Sequence, residues 1–389
     1  MNPEDEIHES YGERIWRHFR SDRFARNGLR MVVFLFIVAA LAPFLANNHA
    51  IIRVASGQRS YPIFQSMEPI EWRFLLYVPI GVAVYFGRNW FFQRPGRNLI
   101  FVIWLVAICE FGMAYYVRPY NDVNNDRDRD ATYKLMPPIP YSPLESSPDQ
   151  FSPPTWKHLC GTDSTGRDIA ARLLHGARTS LSIGFIAQSI ALTVGVTLGG
   201  LAGFYKGWID IAIARFIEVM DCFPPLLLIL VVLSLHPDSQ NNMFYIMAVI
   251  GLTTWTGLAR LVRGEFLRLG SQPFPLAAKA LGAGDLRVIV RHLLPNAVGP
   301  IMVSSTFGVA SAILVESALS FLGFGMQAPT PSWGDVLSDA RRYVDFAWWL
   351  AFFPGMAILI TIMSYNFVGE GLRDAVDPRL KVGRNFRGK

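Results

Sequence analysis

Residues 298–323 read VGPIMVSSTFGVASAILVESALSFLG, an apolar run of 26 positions with a single charged side chain, Glu316. A helix needs about 20 mostly apolar residues to cross a bilayer, whereas a barrel strand alternates over about ten. This run therefore predicts a membrane-spanning helix. Similar apolar runs lie on both sides of it, at 31–46, 74–87, 99–117, 180–203, 211–235, 243–259 and 346–369. We expect an all-α polytopic membrane protein with eight spans, of which the short run 74–87 has the weakest pattern.

The composition agrees with this fold class and excludes others. Hydrophobic residues make up 51% of the 389 positions and charged residues 17%, against about 25% charged in an average soluble domain. The mean hydropathy is +0.28. A disordered chain needs low hydrophobicity and high charge, and a disulfide-built secreted module needs far more than three cysteines.

The excess of basic residues, a net charge of +6, predicts membrane orientation rather than a nucleic-acid partner. The Lys and Arg residues cluster beside the ends of apolar runs and form no stripe with stacking aromatics. Six lie in residues 1–30, six in 260–297 and six after 369, whereas 236–242 has none. The positive-inside rule places both termini and the 260–297 loop in the cytoplasm.

Two segments outside the spans have patterns of their own. Apolar residues at near-helical spacing among the arginines of 1–30 predict an amphipathic helix on the inner membrane surface; a solvated charged tail is the alternative. Residues 118–178 fall on the outer side, and their proline-rich middle predicts extended, structureless chain.

The sequence lacks the motifs that hold ATP or carry out hydrolysis. It contains no G-x-x-x-x-G-K-[ST], H-E-x-x-H, C-x-x-C or G-x-S-x-G. Its seven histidines never fall three or four residues apart, so no helical pair of metal ligands is available. We expect no catalytic residues, no metal site and no cofactor bound by this chain.

A functional pattern lies in the basic loop between two spans, where residues 277–296 read AAKALGAGDLRVIVRHLLPN. The pattern predicts two short helices, 276–281 and 285–293, separated by Gly282 and Gly284. The alanines of the first helix would let another protein approach its backbone closely. An ordinary amphipathic hairpin at the membrane surface is the alternative.

The ends of the second helix follow from two residues. Asp285 is a candidate N-cap. Pro295 is expected to end the helix before the next span, because the residue before a proline disfavours helical backbone.

This loop resembles the coupling loop of permease subunits of bacterial ABC importers, whose pattern is E-A-A, then Gly, then L-P. The matching residues are Ala277, Ala278, Gly282, Leu294 and Pro295. Leu276 stands where the pattern has Glu. The resemblance implies that the loop docks on an ATPase.

Three further stretches, 158–181, 316–334 and 372–379, resemble the second ("C"-type) permease of dipeptide and oligopeptide importers. This resemblance implies a type I permease fold with six core spans, to which the runs 74–87 and 99–117 are extra. The implied segments are a cytoplasmic N-terminus 1–30, a first span 31–46, an insertion 47–117 with two spans, an outer segment 118–178, a permease core 179–372 containing the coupling loop 263–297, and a basic cytoplasmic tail 373–389.

The resemblance also implies a function, import of peptides or peptide-like solutes across the bacterial inner membrane, without enzymatic activity in this chain. The implied partners are a homologous permease subunit, two cytoplasmic ATPases that hold ATP and Mg²⁺, an extracytoplasmic solute-binding protein and the lipid bilayer, with no nucleic acid. The alternatives are an ion-coupled secondary transporter, expected to have broken helices with ion ligands in both halves, and an intramembrane enzyme. Neither would need a docking loop.

Two more sets of residues are candidates for function. The first forms either a folded turn or an outer collar that faces the channel mouth and the binding protein: Gly161, Thr162, Asp163, Gly166, Arg167 and Asp168. The second is a pair of acids within apolar runs, Asp221 and Glu316. Because a charge inside a bilayer costs a few kcal/mol, such acids normally face an interior, here either the translocation path or a neighbouring helix.

Overall fold

The computed structural model describes residues 11–55, 58–67, 72, 133–235, 243–326 and 330–376, which are mostly helical. The predicted spans 74–87 and 99–117 lie outside these residues, as does most of the basic tail 373–389. The helices and strands have the following bounds: α1 Tyr11–Ser21, α2 Arg23–Leu45, β1 Ile52–Ala55, β2 Gln58–Ser60, α3 Pro62–Ser66, β3 Tyr133–Leu135, α4 Ile169–Tyr205, α5 Gly207–Asp221, α6 Pro225–Leu235, α7 Met243–Thr254, α8 Thr256–Gly270, α9 Pro273–Ala280, α10 Asp285–Val288, a π-helical turn Ile289–Leu293, α11 Leu294–Leu322, α12 Trp333–Ser338, α13 Ala340–Tyr343 and α14 Trp349–Val376.

Among the described residues, four helices are long and apolar enough to cross a membrane: α2, α4, the continuous helix Asp285–Leu322 and α14. The count rises to six if two bent pairs each form one span. These pairs are α5 with α6, which meet at 80°, and α7 with α8, which meet at 46°. The predicted runs 31–46, 180–203, 298–323 and 346–369 thus fall on long spanning helices.

The predicted run 211–235 is not one straight helix, because it bends between Asp221 and Pro225. Pro224 and Pro225 follow each other at the bend, and each proline disfavours helical backbone in the residue before it. The half before the bend carries the charged residues of the run, while α6 has none. The bend therefore separates a helix that carries charged residues from one that carries none.

The chain divides into two compact units. The first comprises Met1–Val33, Ser180–Gln327 and Met356–Lys389, and the second Phe34–Thr179 and Ala328–Gly355. In the first unit, buried side chains of α6 and α7 pack with α11; they include Ile229, Ile246 and Leu319. Because lipid is as apolar as these side chains, close packing rather than water exclusion holds such helices together.

A second cluster of the first unit lies under the loop that joins α8 to α11. Leu258, Val262 and Phe266 of α8 pack there with Val288 and Leu293. All five side chains are buried. The loop therefore rests on a packed base.

The amphipathic helix predicted near the N-terminus is present as α1. Phe19 is buried, and it lies against Gly371 of α14. Phe24, at the start of α2, is 68% exposed. The helix therefore forms, and the alternative of a wholly solvated tail is wrong for residues 11–21.

The second unit contains a three-stranded sheet of order β2-β1-β3, with both neighbours antiparallel to β1. Arg53 of β1 pairs with Ser60 on one side and Lys134 on the other. A parallel β-bridge between Ala46 and Ile139 adds a further backbone contact between the residues before β1 and those after β3. The expectation of structureless chain is wrong for the proline-rich stretch 136–154, whose backbone groups pair with residues 45–47 and 162–166. The sheet also makes the described part of the chain mostly rather than entirely helical.

Candidate functional site

The loop between α8 and α11 consists of two helices joined by a tight turn, as predicted, although the first begins earlier. α9 covers Pro273–Ala280 instead of 276–281, since Pro273 suits the first turn of a helix, where its missing N–H is not needed. Gly282 then adopts a left-handed backbone with φ +82°. Its N–H donates to Lys279 O at 2.9 Å, and Ala283 N–H donates to Ala278 O at 3.0 Å. These two bonds form a Schellman end, in which glycine is strongly preferred.

The start of the second helix differs from the prediction. Gly284 rather than Asp285 is the N-cap residue, and it makes no side-chain cap bond. The Asp285 carboxylate instead lies 3.3 Å from Lys279 Nζ. Its charge thus links α9 to α10 across the turn.

Pro295 does not end the second helix, which is a further correction. The chain continues as one helix from Asp285 to Leu322, with Pro295 in the first turn of α11. Inside a helix, a proline ring clashes with the carbonyl four residues earlier, here that of Arg291. Arg291 lies in the π-helical turn Ile289–Leu293, and this wider turn accommodates the ring.

Apolar side chains cover the outer side of this loop, and we call them the coupling surface: Phe274, Leu276, Leu281, Leu286 and Val290, all exposed. Leu281 is 89% exposed and Leu286 74% exposed. Ala277 is exposed beside them, whereas Ala278 packs inward against the base of the loop. An exposed apolar patch of this kind is typical of a surface that contacts another protein or the membrane.

The loop is also fixed to α4. Lys279 Nζ lies 4.4 Å from the centre of the Phe204 ring near the end of that helix, a cation–π contact. Leu294, of the predicted L-P pair, is partly buried in the base cluster with Leu293. The loop thus packs on α8, on Phe204 near the end of α4 and on the start of α11.

The predicted collar residues form a buried turn at the start of α4. The Asp163 carboxylate is fully buried and accepts hydrogen bonds from Thr165 N, Thr165 Oγ1 and Arg167 N at 2.8–2.9 Å. Its second oxygen accepts from Arg167 Nε at 2.7 Å and Arg172 Nη1 at 2.5 Å. Burial alone would raise the pKa of Asp163, but the Arg172 and Arg167 guanidiniums and the donated bonds outweigh it and hold that pKa below its ordinary value.

Glycine is required within this turn. Gly166 has φ +79°, and a Cβ at this position would lie 1.9 Å from the Ser147 carbonyl oxygen. Gly161 has the same φ. Thr162, between the turn and α14, accepts a bond from Trp349 Nε1 on its carbonyl at 3.2 Å. Gly161, Thr162, Asp163, Gly166 and Asp168 are buried and Arg167 is partly buried, so the turn is a structural element of its unit, and a contact with the binding protein stays a prediction.

Asp168 is the N-cap of α4, as expected. Its Oδ1 accepts a bond from Ala171 N at 2.8 Å, and its Oδ2 lies 2.8 Å from His158 Nδ1. Burial raises the pKa of Asp168, an effect that these two bonds oppose. His158 is itself buried and lies against the Tyr141 ring at 4.6 Å.

Arg172 is a central residue of this unit that the sequence analysis did not single out. It is 2% exposed, and its guanidinium bonds Asp163, Asp335 at 2.8 Å and Asp339 at 3.0 Å. Burial raises the pKa of Asp335, although Arg172 opposes this. Arg172 lies in the first turn of the helix that Asp168 starts, ahead of the predicted span 180–203, and an arginine so close to an apolar run is the signal that could have indicated a buried ion-pair network.

The two acids predicted within apolar runs are not part of the coupling surface. Glu316 is fully buried in α11, and its Oε1 accepts a hydrogen bond from Ser320 Oγ at 2.7 Å. Asp221 is the last residue of α5 and forms an ion pair with Arg260 of α8. Among the described residues, no group of three or more His, Cys, Asp or Glu side chains is placed to hold a metal ion.

Comparison with known proteins places this geometry in a family. Residues 195–382 match the family model of the binding-protein-dependent transport system inner membrane component, which includes the whole coupling surface. Residues 10–61 match the N-terminal TM domain of oligopeptide transport permease C. The chain is 42% identical over 290 residues to the dipeptide transport system permease protein DppC of Alkalihalophilus pseudofirmus, a match that covers 75% of this chain and 89% of that protein. The chain belongs to the dipeptide and oligopeptide C-type permease family of ABC importers.

Two other permeases support this family assignment. The di/tripeptide transport system permease protein DppC of Pseudomonas aeruginosa is 39% identical, over 62% of this chain and 81% of its own length. The oligopeptide transport system permease protein OppC of Bacillus subtilis is 40% identical, over 59% and 74%. The predicted fold class and family are confirmed: the chain is a mostly helical inner-membrane permease component of a transporter, not a catalytic subunit.

Proposed function

We propose that this permease conducts peptides through an ATP-driven importer and that its coupling surface is the dock for a cytoplasmic ATPase subunit. The observation that carries the proposal is the exposure of Leu281 and Leu286 on a loop whose other face is packed and buried. Burying such a side chain fully is worth about 1.5–3 kcal/mol, so the patch favours a partner; an ATPase rather than the membrane surface is supported by the family to which the loop belongs. Because the loop packs on α8, on Phe204 near the end of α4 and on the start of α11, we expect a movement imposed on it to reach these helices together.

The assembly we propose contains this chain, a homologous permease subunit, two ATPases and an extracytoplasmic solute-binding protein. ATP and Mg²⁺ are held by the ATPases. This chain supplies the membrane path and converts movement of its loop into a change between inward- and outward-facing states, which requires different contacts in the two states. Peptide cargo is supported by the printed names of the relatives, which are dipeptide, di/tripeptide and oligopeptide permeases.

The proposed orientation places α1, the coupling surface and the C-terminus in the cytoplasm. It rests on the positive-inside rule, with six basic residues in 260–297 and none in 236–242. The Asp163 turn then lies on the outer side, close to where a binding protein would deliver cargo. The two bent helix pairs are a feature that a secondary transporter could share, but the family matches support the importer rather than a secondary transporter or an intramembrane enzyme.

The test is co-purification of the ATPases with tagged permease after Leu281→Glu or Leu286→Glu substitution. A carboxylate at the centre of an apolar contact should release the ATPases and abolish uptake of labelled dipeptide, while the permease remains in the membrane. Leu159→Glu is the matched control, since Leu159 is 52% exposed in the outer segment. This variant should keep both the bound ATPases and the uptake of labelled dipeptide. Retention of the ATPases and of uptake by both coupling-surface variants would reject the docking assignment.

A further inference from the structure

Two ion pairs tie α5 to α8, one near each end of α5. Asp210, in the first turn of α5, receives a two-pronged contact from Arg263, with Nε on one oxygen and Nη2 on the other at 2.8 Å. Asp221, the last residue of α5, receives Arg260 Nη1. The two acids are eleven positions apart, about 16 Å along a helix, whereas the two arginines are three apart on one face of α8.

Apolar contacts fill the space between these ties. Ile217, the buried residue of α5, packs with Trp255 and Ala259 at the start of α8. The ring of Phe216 stacks on Trp255 with centroids 5.7 Å apart. α5 is therefore held to α8 at both ends and in the middle, and the two helices are expected to move as one piece.

Each of the tied helices leads to a different part of the unit. α8 is followed after two residues by α9, so a displacement of the coupling surface passes directly into it. α5 is followed through the 80° bend by α6. α6 in turn packs on α7 and α11 through Ile229, Leu233 and Leu319.

We propose that α5 is a strut that carries movement of the coupling surface to α6, and that Asp210, Arg263, Asp221 and Arg260 are positioning residues for the ATP-driven step. The inference rests on the proposed docking of α9 and adds the route by which that docking acts. The fork between Arg263 and Asp210 is the stronger tie, because two parallel bonds fix the angle as well as the distance between the helices. Partly exposed ion pairs contribute little to stability, so such pairs between two helices serve geometry more than folding.

The same two helices contain matched ion pairs that join no helices. Arg215 and Glu218 pair within α5, and Glu265 and Arg268 pair within α8, each three residues apart. They have the same chemistry but cannot transmit movement from one helix to the other. The Glu265–Arg268 pair resembles Arg260–Asp221 in exposure, whereas Arg215–Glu218 is more exposed than either pair between the helices. Glu218→Gln and Glu265→Gln are therefore controls for loss of a charge pair alone.

The experiment reconstitutes the whole importer in proteoliposomes and measures labelled dipeptide taken up per ATP hydrolysed, together with the ATPase bound per permease. Asp210→Asn and Arg263→Gln should each lower the ratio of peptide to ATP by about fivefold, the size of a typical coupling effect. The bound ATPase should be unchanged. The charge exchange Asp210→Arg with Arg263→Asp restores the attraction with reversed polarity, and should return the ratio to within about twofold of the wild type. Glu218→Gln and Glu265→Gln should match the wild type.

The strut is rejected if Asp210→Asn and Arg263→Gln keep the wild-type ratio, or if the controls lose as much as they do. It is also rejected if the charge exchange gives a peptide-to-ATP ratio no higher than that of the single substitutions. A fall in the amount of assembled importer in proportion to uptake would reject it as well. A different result would reject the proposed ATPase dock: the Leu281→Glu and Leu286→Glu variants would then retain both the bound ATPase and peptide uptake. Loss of the strut leaves the ATPase bound and changes only the peptide delivered per ATP.

Discussion

The Arg172 guanidinium lies 2.5 Å from the Asp163 carboxylate, and neither side chain is more than 2% exposed. The same guanidinium reaches Asp335 and Asp339, which are 163 and 167 positions away in the sequence. One buried cation thus holds together the turn before α4 and the α12–α13 segment. Its removal would leave buried carboxylates without compensation.

We predict that Arg172→Met destabilises the second unit by about 3–5 kcal/mol, the usual effect of breaking a buried ion pair from one side. The yield of monodisperse permease and its melting temperature in detergent are the measurements. Arg215→Met is the control, since Arg215 is 74% exposed and pairs only within α5; it should leave both values unchanged. Equal melting temperatures for the two variants would show that the network adds nothing to stability.

The contribution of Asp163 should depend on pH in a defined direction. Because its pKa in the folded protein lies below the ordinary 3.8, the stabilisation is complete above that value and is lost as the pH falls through the lower folded pKa. The difference in melting temperature between wild type and Asp163→Asn should stay constant from about pH 7 to 5 and shrink below about pH 4. Asp168 and Asp335, whose pKa values are raised by burial, are present in both proteins and largely cancel. A difference that grows on acidification contradicts the assignment.

Gly282 should be sensitive to backbone conformation rather than to side-chain volume. A Cβ at this position would meet nothing within 4 Å, but the φ of +82° is unfavourable for a β-branched residue. Gly282→Val should lower bound ATPase and uptake, while Gly282→Asn should retain both, because asparagine tolerates left-handed backbone. Gly284→Val is the control, since Gly284 has φ −65°. If the two variants at Gly282 behave alike, the Schellman end is not what the dock requires.

Glu316→Gln separates the two roles predicted for this residue. The full burial of Glu316 and its bond to Ser320 favour a packing role. We therefore expect lower complex yield and an equal loss of uptake for free and N-acetylated forms of one peptide. Uptake is measured per purified complex. A selective loss for the peptide with a free N-terminus would instead place the carboxylate in contact with the cationic end of cargo.

The proposed orientation can be tested with two single cysteines in a background without native cysteines. Leu281→Cys and Trp156→Cys are suitable because the original side chains are 89% and 97% exposed. A membrane-impermeant maleimide should label position 156 in intact spheroplasts and position 281 only after permeabilisation. The reverse pattern would invert the topology.

The sequence predicted the features that depend on neighbouring residues. Long apolar runs gave the spanning helices, an aspartate before α4 gave its cap, and Gly282 gave the end of α9. The first two follow from local hydrophobicity and from unpaired N–H groups at a helix start. The last follows from the freedom of glycine at positive φ.

The features that were missed depend on contacts between residues far apart in the chain or, for Pro295, on an unusual local backbone conformation. The pairing of β1 with β3 joins residues about 80 positions apart, and strands of three or four residues have too little pattern to predict. The ion pairs of Arg172, and those that tie α5 to α8, likewise join distant acids and arginines. Pro295 was misassigned because nothing in its neighbours predicts the π-helical turn that accommodates it.

The three-stranded sheet has a consequence for how this protein can vary in length. The chain leaves the sheet after Ser60 and returns to it at Tyr133, with β2 and β3 on the two sides of β1. Ser60, where the chain leaves the sheet, and Tyr133, where it returns, are therefore held about 10 Å apart, which is twice the spacing between neighbouring strands. Lengthening a stretch whose ends are already joined costs little, since the entropy of loop closure grows only with the logarithm of its length. For a protein engineer, a reporter domain is best exchanged between α3 and β3, because Phe64 of α3 contacts Phe44 of the first span and α3 must be kept.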